Sequence, residues 1–323
     1  MASIANFVVF TRRSSDPSLG WEDNPPNTPV YTYVASAINI ALSILESPHG
    51  RHYLTQLALI IDHEMDENSH FQGNKDIAKH WVDVFLAKVR AQFPVVIVDF
   101  TMNNPNELGC HPRGGWMGHL KDFDPRSHMI CINGQRTADM VASACGQDGQ
   151  NFRNFQFLFA TMFTHEVGAH LLVTFLRNGR VNTPPTITVQ GYGSRTVGES
   201  GRFLEAYLFG GTTEYYRAAS QDMHQTGIPY QIDHQNRAWR ISSTTINEIC
   251  RYEFRFPFTR VGSPVSPRDM RSMGSGSFAS TTLESRRAMM ARGFDLGRPK
   301  GYRVKVSDIM NVARDPRKML KAC

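Results

Sequence analysis

Apolar residues return at helical spacing along several stretches of the chain and at strand spacing along a few others. Within residues 77–93, Trp81, Val84, Phe85 and Val89 share one side of a helix. Another helix is expected over 33–45, stopped by Ser47-Pro48-His49-Gly50. The most regular one spans 152–177, where Phe152, Phe155, Phe159, Met162 and Phe163 repeat and Asn178-Gly179 supplies a stop. A later helix is expected to open near Thr196 and to break at Gly210-Gly211. Segments 94–100 and 129–133 are short, β-branched and apolar, and read as buried strands. Residues 186–190 read as a further strand, and 252–258, alternating aromatic with charged, as a half-exposed one. Segment 54–61 is apolar but fits helix or strand; 14–29 is an extended lead-in; 102–124, with Gly109, Gly114, Gly115 and Gly118, is a long loop. The pattern predicts an α+β fold, mainly helical, with a small sheet beside the long helix.

Composition bounds this picture. The chain has 323 residues, 41% hydrophobic and 20% charged, enough for one large core in one or two lobes. A catalytic domain is expected over 1–260, followed by a Gly/Ser-rich linker and basic tail over 261–323. The net charge of +6 is uneven: from residue 251 onward there are 16 Lys+Arg against 6 Asp+Glu. These cations are scattered and carry no finger or RNA-binding signature, so no specific nucleic-acid partner is expected. No apolar run reaches the roughly 18 residues that span a bilayer. The N-terminal residues lack the form of a secretory signal. Cys110, Cys131, Cys145, Cys250 and Cys323 are odd in number and form no Cys-x-x-Cys pair, which fits a reducing, cytoplasmic location.

The candidate chemistry lies on the long helix, at His165-Glu166-Val167-Gly168-Ala169-His170. Two imidazoles aimed at one point, with a carboxylate beside them, are what a water-activating zinc site needs. The familiar spacing is i and i+4; here it is i and i+5, which leaves the rings about 140° apart on a regular helix. A one-residue bulge would bring them together, and Gly168-Ala169 makes room for one. A glycine inside a helix costs about 0.5–1 kcal/mol against alanine, so its presence asks for a local reason.

This segment resembles the lengthened His-Glu-x-x-x-His signature of dipeptidyl peptidase III, within the zincin metallopeptidases. The resemblance covers the motif and its surroundings, from about Phe152 to Tyr216. It implies a zincin-like fold, Zn2+ held by His165 and His170, and Glu166 as general base. It also implies a carboxylate ligand on a later helix. Substrate class and a two-lobed architecture do not carry over; the function expected is that of a zinc-dependent hydrolase of a peptide or small amide substrate. The family's second motif is not present as such, so the third ligand is sought in 197–205. Glu199 is preferred, because it shares a stripe with Phe203, Ala206 and Tyr207 and is flanked by Gly198 and Gly201, which permit close approach to the metal helix. The competing role for Glu199 is a capping box with Thr196. Glu205 is the alternative ligand, its competing role an ion pair with Arg202.

Tyr215, Tyr216, His224 and His234 follow and are candidates for an oxyanion donor. His63-Glu64 with His70 has i+7 spacing within an acidic run and reads as an exposed turn. Cys110, His111 and His119 fall in the glycine-rich loop, which reads as a cover for substrate. Gly191-Tyr192-Gly193 is too short for a phosphate loop. The rival functions are a metal-dependent lyase or cyclase acting on a specialised small molecule, and a binding protein with structural zinc.

Overall fold

A computed structural model describes residues 3–16, 19–65, 69–103, 107–114, 116–146, 148–178, 182–216, 224–265 and 302–305. The first helices form a corner. α1 (Pro29–Glu46) starts on the Thr28 cap and is buried along most of its length. Ser47 both ends α1 and caps α2 (Pro48–His63): its hydroxyl donates to the Ile44 carbonyl and accepts from the Gly50 N–H. Ser47-Pro48-His49-Gly50 is therefore a bend of 73° between two helices, not only a stop. A Cβ at Gly50 would stand 2.2 Å from the Ile44 carbonyl oxygen, so only glycine lets the helices meet this closely. The apolar segment 54–61 is the buried side of α2. α3 (Lys75–Ala91) follows its Asn74 cap and buries Phe85 and Val89 as expected, but the buried side continues through Val82 and Leu86, leaving Trp81 and Val84 half-buried.

β2 (Val9–Arg12), β4 (Val95–Asp99) and β6 (Met129–Asn133) run parallel at the centre of a five-stranded sheet. Its edges, β3 (Glu22–Asp23) and β5 (Gly109–Cys110), are antiparallel. The expected loop 102–124 thus contains an edge strand. Val96, Val98, Ile130 and Ile132 belong to the main core, while Val95, Ile97, Cys110 and Cys131 form a smaller cluster. β1 (Ser3–Phe7) pairs antiparallel with β11 (Tyr302–Lys305).

α4 (Gly134–Cys145) was not marked by an obvious apolar stripe, because it buries Arg136, Thr137 and Asp139 among its inward residues. The long helix is continuous along the chain as α5 (Gly149–His165), a π-helical turn (Glu166–Leu171) and α6 (Leu172–Arg177). It ends at Asn178, which takes the positive φ of a helix stop. α5 packs along α1, where Gln156 donates to Ser36 and Tyr33 meets Phe152 edge-on.

Residues 186–190 form turns and bends rather than the expected strand; the segment has β-branched residues but pairs with no strand among the described residues. α7 (Ser200–Leu208) begins four residues later than Thr196. β7 (Thr212–Tyr216), β8 (Ile228–Ile232), β9 (Ala238–Ile241) and β10 (Arg260–Val265) make an antiparallel sheet in the order β10-β9-β8-β7. α8 (Ser243–Cys250) connects its last two strands. Residues 252–258 keep the expected alternation, with Tyr252, Phe254, Phe256 and Phe258 turned inward, but they are irregular; the aromatic contacts replace a ladder. The proposed linker begins inside β10, and the Gly/Ser-rich stretch beyond Val265 lies outside the described residues. The chain is a mixed helix and sheet protein with small sheets. Among the described residues no single helix is long and apolar enough to cross a membrane.

Candidate metal centre

The π turn begins at Glu166 and covers the whole motif beyond His165. In a π turn the residue five positions on is the axial neighbour. His165 and His170 therefore face one another, ring centroids 4.8 Å apart, instead of diverging. Gly168 has a packing reason as well: a Cβ there would lie 2.5 Å from a Leu45 methyl and 2.9 Å from one of Leu204. Its bare backbone lets α1 and α7 close on the bulge.

Each imidazole has one nitrogen held by a carboxylate. His165 Nδ1 donates to Glu205 Oε1 at 2.6 Å, and His170 Nδ1 donates to Glu166 Oε2 at 2.9 Å. Both Nε2 atoms then turn to Glu199 Oε1, at 3.4 Å from His165 and 2.6 Å from His170. One donor atom from each of His165, His170 and Glu199 falls within 4.8 Å of the others. A carboxylate on the far nitrogen is the usual companion of a metal-ligating histidine, because it fixes the tautomer and raises the basicity of the near nitrogen. Two nitrogens and a carboxylate oxygen form a donor set that could hold a divalent metal ion. The cluster is nearly closed: the most exposed side chain, Glu199, is 10% accessible and His170 only 1%.

Glu199 arrives differently from the sequence expectation. It is the N-cap of α7, its side chain accepting from the Gly201 N–H at 3.2 Å, so it caps the helix itself rather than boxing with Thr196. The inward face of α7 is Gly201, Leu204, Glu205 and Leu208, while Tyr207 is exposed; the stripe with Phe203, Ala206 and Tyr207 does not point to the site. Gly201 does what was expected of it. A Cβ there would stand 2.1 Å from His165 Nε2 and 2.3 Å from two ring carbons, so the imidazole lies flat against this glycine. Gly198 instead packs against the carbonyls of Pro184 and Ile187. Glu205 is mid-helix and also near His165, but on Nδ1, behind the ring. Arg202 pairs with it at 3.2 Å.

Electrostatics favour a cation. Burial lowers the pKa of His165, but hydrogen bonds to Glu199 and Glu205, with the charges of Glu205 and Glu166, overcome it and raise the value to about 10. Burial pushes Glu199 up, yet the charge of His170 and the bonds to both imidazoles hold it well below the usual carboxylate range. Glu205, likewise opposed by burial, is lowered by Arg202 and His165. Glu166, Glu199, Glu205 and Glu214 are four buried carboxylates, and Arg202 pairs with two of them, Glu205 and Glu214. Buried charge of one sign is costly unless it is paired. Without a metal ion, a proton on His165 supplies part of that pairing.

Glu166 has two engaged faces. Its Oε2 accepts from His170 and from the His111 backbone N–H at 2.8 Å, and its Oε1 is 4.0 Å from His165 Nε2. His111 lies in the loop that leaves β5 and runs along the long helix. Its ring meets the Met129 carbonyl and Thr174, and burial together with the charge of His128 holds its pKa well below the usual histidine value. Trp116 donates to the Thr174 carbonyl, and Gly118 and Asn178 bond mutually. His119 is exposed. The backbone donor of His111 has no signature of residue type and could not be read from the sequence.

The oxyanion candidates are dispersed. The Tyr215 hydroxyl lies 3.5 Å from Thr161, Tyr216 packs against Tyr230, and His224 is largely exposed and bonded to Asp139. His234 is exposed beside a cavity of about 250 Å³ that Tyr192, Thr212 and Asp233 also line. No protein-family model matches the chain, and no curated protein or solved structure shows significant similarity to it.

Proposed function

We propose that the chain is a zinc-dependent hydrolase of the zincin type, acting on a peptide or small amide bond. The observation that carries this reading is the π turn, which brings His165 and His170 onto Glu199 while Glu205 and Glu166 hold their far nitrogens. His165, His170 and Glu199 would hold Zn2+ through Nε2, Nε2 and Oε1. When bound, the ion would polarise the substrate carbonyl and lower the pKa of the attacking water. Three protein donors would leave a position for water, as in catalytic rather than closed structural sites. Glu166 is the base: Oε2 is fixed by two donors, and Oε1 faces the cluster, where it takes the water proton and returns it to the leaving amine. Glu205 orients His165 and is not a ligand. The resemblance to dipeptidyl peptidase III adds to this reading around the motif alone.

Elemental analysis of the purified chain, followed by turnover of a peptide library with and without chelator, tests the proposal. About one zinc per chain and chelator-sensitive cleavage are expected. Chain free of metal after expression in zinc-supplemented medium would end the metal reading. Zinc with no hydrolysis of any amide would favour the lyase or structural alternatives.

A further inference from the structure

Behind His165 stands a second buried layer. Arg202 Nη1 lies 3.2 Å from Glu205 Oε2 and donates to the Thr213 carbonyl at 2.8 Å, while Nη2 lies 2.9 Å from Glu214 Oε1. The Tyr192 hydroxyl donates to the same Glu214 oxygen at 2.8 Å, and the Tyr192 ring sits 4.9 Å from the Arg202 guanidinium carbon. Gly191 and Gly193, both at positive φ, shape the turn that delivers Tyr192 there. Arg202, Glu205 and Glu214 are all buried.

One guanidinium is thus shared by two carboxylates, and only one of them touches a proposed ligand. In a medium of low dielectric constant, linked hydrogen bonds polarise one another. The more Arg202 is drawn to Glu214, the more charge Glu205 keeps for the Nδ1–H of His165. A stronger pull on that proton makes Nε2 a better donor to a metal ion.

We propose that Glu214 and Tyr192 are positioning residues that set, through Arg202 and Glu205, how tightly His165 holds its metal ion. The proposal rests on the metal reading above and predicts opposite signs for two substitutions. Glu214→Gln removes the competing charge, turns Arg202 onto Glu205 and weakens metal binding. Tyr192→Phe keeps the ring against Arg202 but deletes the hydroxyl that occupies Glu214. Glu214 then draws harder on Arg202, and metal binding tightens. A role in packing alone would weaken both.

The test is Zn2+ affinity of the full chain, measured by competition with a chromophoric chelator, with thermal melts to verify folding. Visible absorption of the Co2+-loaded protein reports the coordination of His165. Glu214→Gln should weaken Zn2+ binding about tenfold, at the lower end of the range for partners outside the ligand shell, and Tyr192→Phe should tighten it about threefold. Tyr192→Phe that weakens binding or leaves it unchanged overturns the proposal, as does folded Glu214→Gln with unaltered affinity. If Glu214→Gln fails to fold, the sign of Tyr192→Phe decides. A wild-type chain that takes up no Zn2+ defeats the metal reading itself, which is seen before any variant is compared.

Discussion

Two segments of this chain begin with the same dipeptide and end differently. His63-Glu64, with His70 beyond it, closes α2; His165-Glu166, with His170 beyond it, enters the π turn. In the first, His63 is exposed, Glu64 accepts from Thr186 at 3.0 Å, and His70 Nε2 meets the Leu176 carbonyl at 3.0 Å. The neighbouring Asp62 is filled by Ser69 and by the N–H groups of His70 and Phe71. Glu64, His70 and Asp62 each have partners of their own, and among the described residues these groups are not directed at a common point. In the second, the far nitrogens are occupied and the near ones converge. Residue type is shared; what differs is whether the surrounding carboxylates leave a focus. The first segment also serves the second, since Leu176 offers one of the carbonyls that a helix end leaves without an intrahelical partner.

The sharpest break of this comparison is removal of the imidazoles. His165→Ala and His170→Ala should each abolish stoichiometric zinc, while His63→Ala retains it, as elemental analysis of the folded variants will show. Zinc loss in His63→Ala would erase the distinction. Next in size is Glu166→Gln, for which kcat should fall at least ~10²-fold, the lower bound for a general base. Its amide oxygen can still accept from His111 and His170, so zinc affinity should fall by no more than about tenfold, at the mild end for such partners. Full turnover by the zinc-loaded variant would remove the base role.

A smaller effect follows from His165. Its raised pKa, about 10 in the ion-free chain, means that zinc must displace a proton at neutral pH. Calorimetry in buffers of different ionisation enthalpy should find at least one proton released. The raised value also stabilises the ion-free fold fully below the unfolded pKa of about 6.5, and that contribution is lost as pH rises through the folded value. Ion-free protein should therefore lose more melting temperature between neutral pH and pH 10 than zinc-loaded protein; parallel curves would contradict the assignment. Smallest is His70→Ala, which should cost roughly 1 kcal/mol in urea unfolding, the worth of one hydrogen bond, without altering zinc content.

The cluster was legible where its chemistry is local. His165, Glu166 and His170 share one helix, the need for a bulge followed from their spacing, and Gly201 announced a close approach. Glu199 does lie beside the two imidazoles, but not on the stripe expected of it, since its helix starts one residue after it. What could not be read has long-range causes. The His111 contribution is a backbone N–H, and Glu214 matters only because β7 carries it to Arg202. α4 buries Arg136 and Asp139 as a pair 3.1 Å apart, which defeats a search for apolar stripes. Segment 186–190 has strand composition but pairs with no strand among the described residues, and pairing, not composition, makes a sheet.

The π turn also fixes how the second half of its helix is phased. Five residues there advance around the axis about as far as four do in an α-helix, so the turn absorbs one residue of rotation. Leu172, Thr174 and Leu176 consequently present the same sides they would in a regular helix one residue shorter. That is why Thr174 still reaches His111 and Trp116. Excision of Ala169 would leave the imidazoles four apart on an unbroken helix with α6 in its present orientation. The lengthened and the ordinary spacing are rotational equivalents, one codon apart, and a chain can pass between them without repacking what lies downstream.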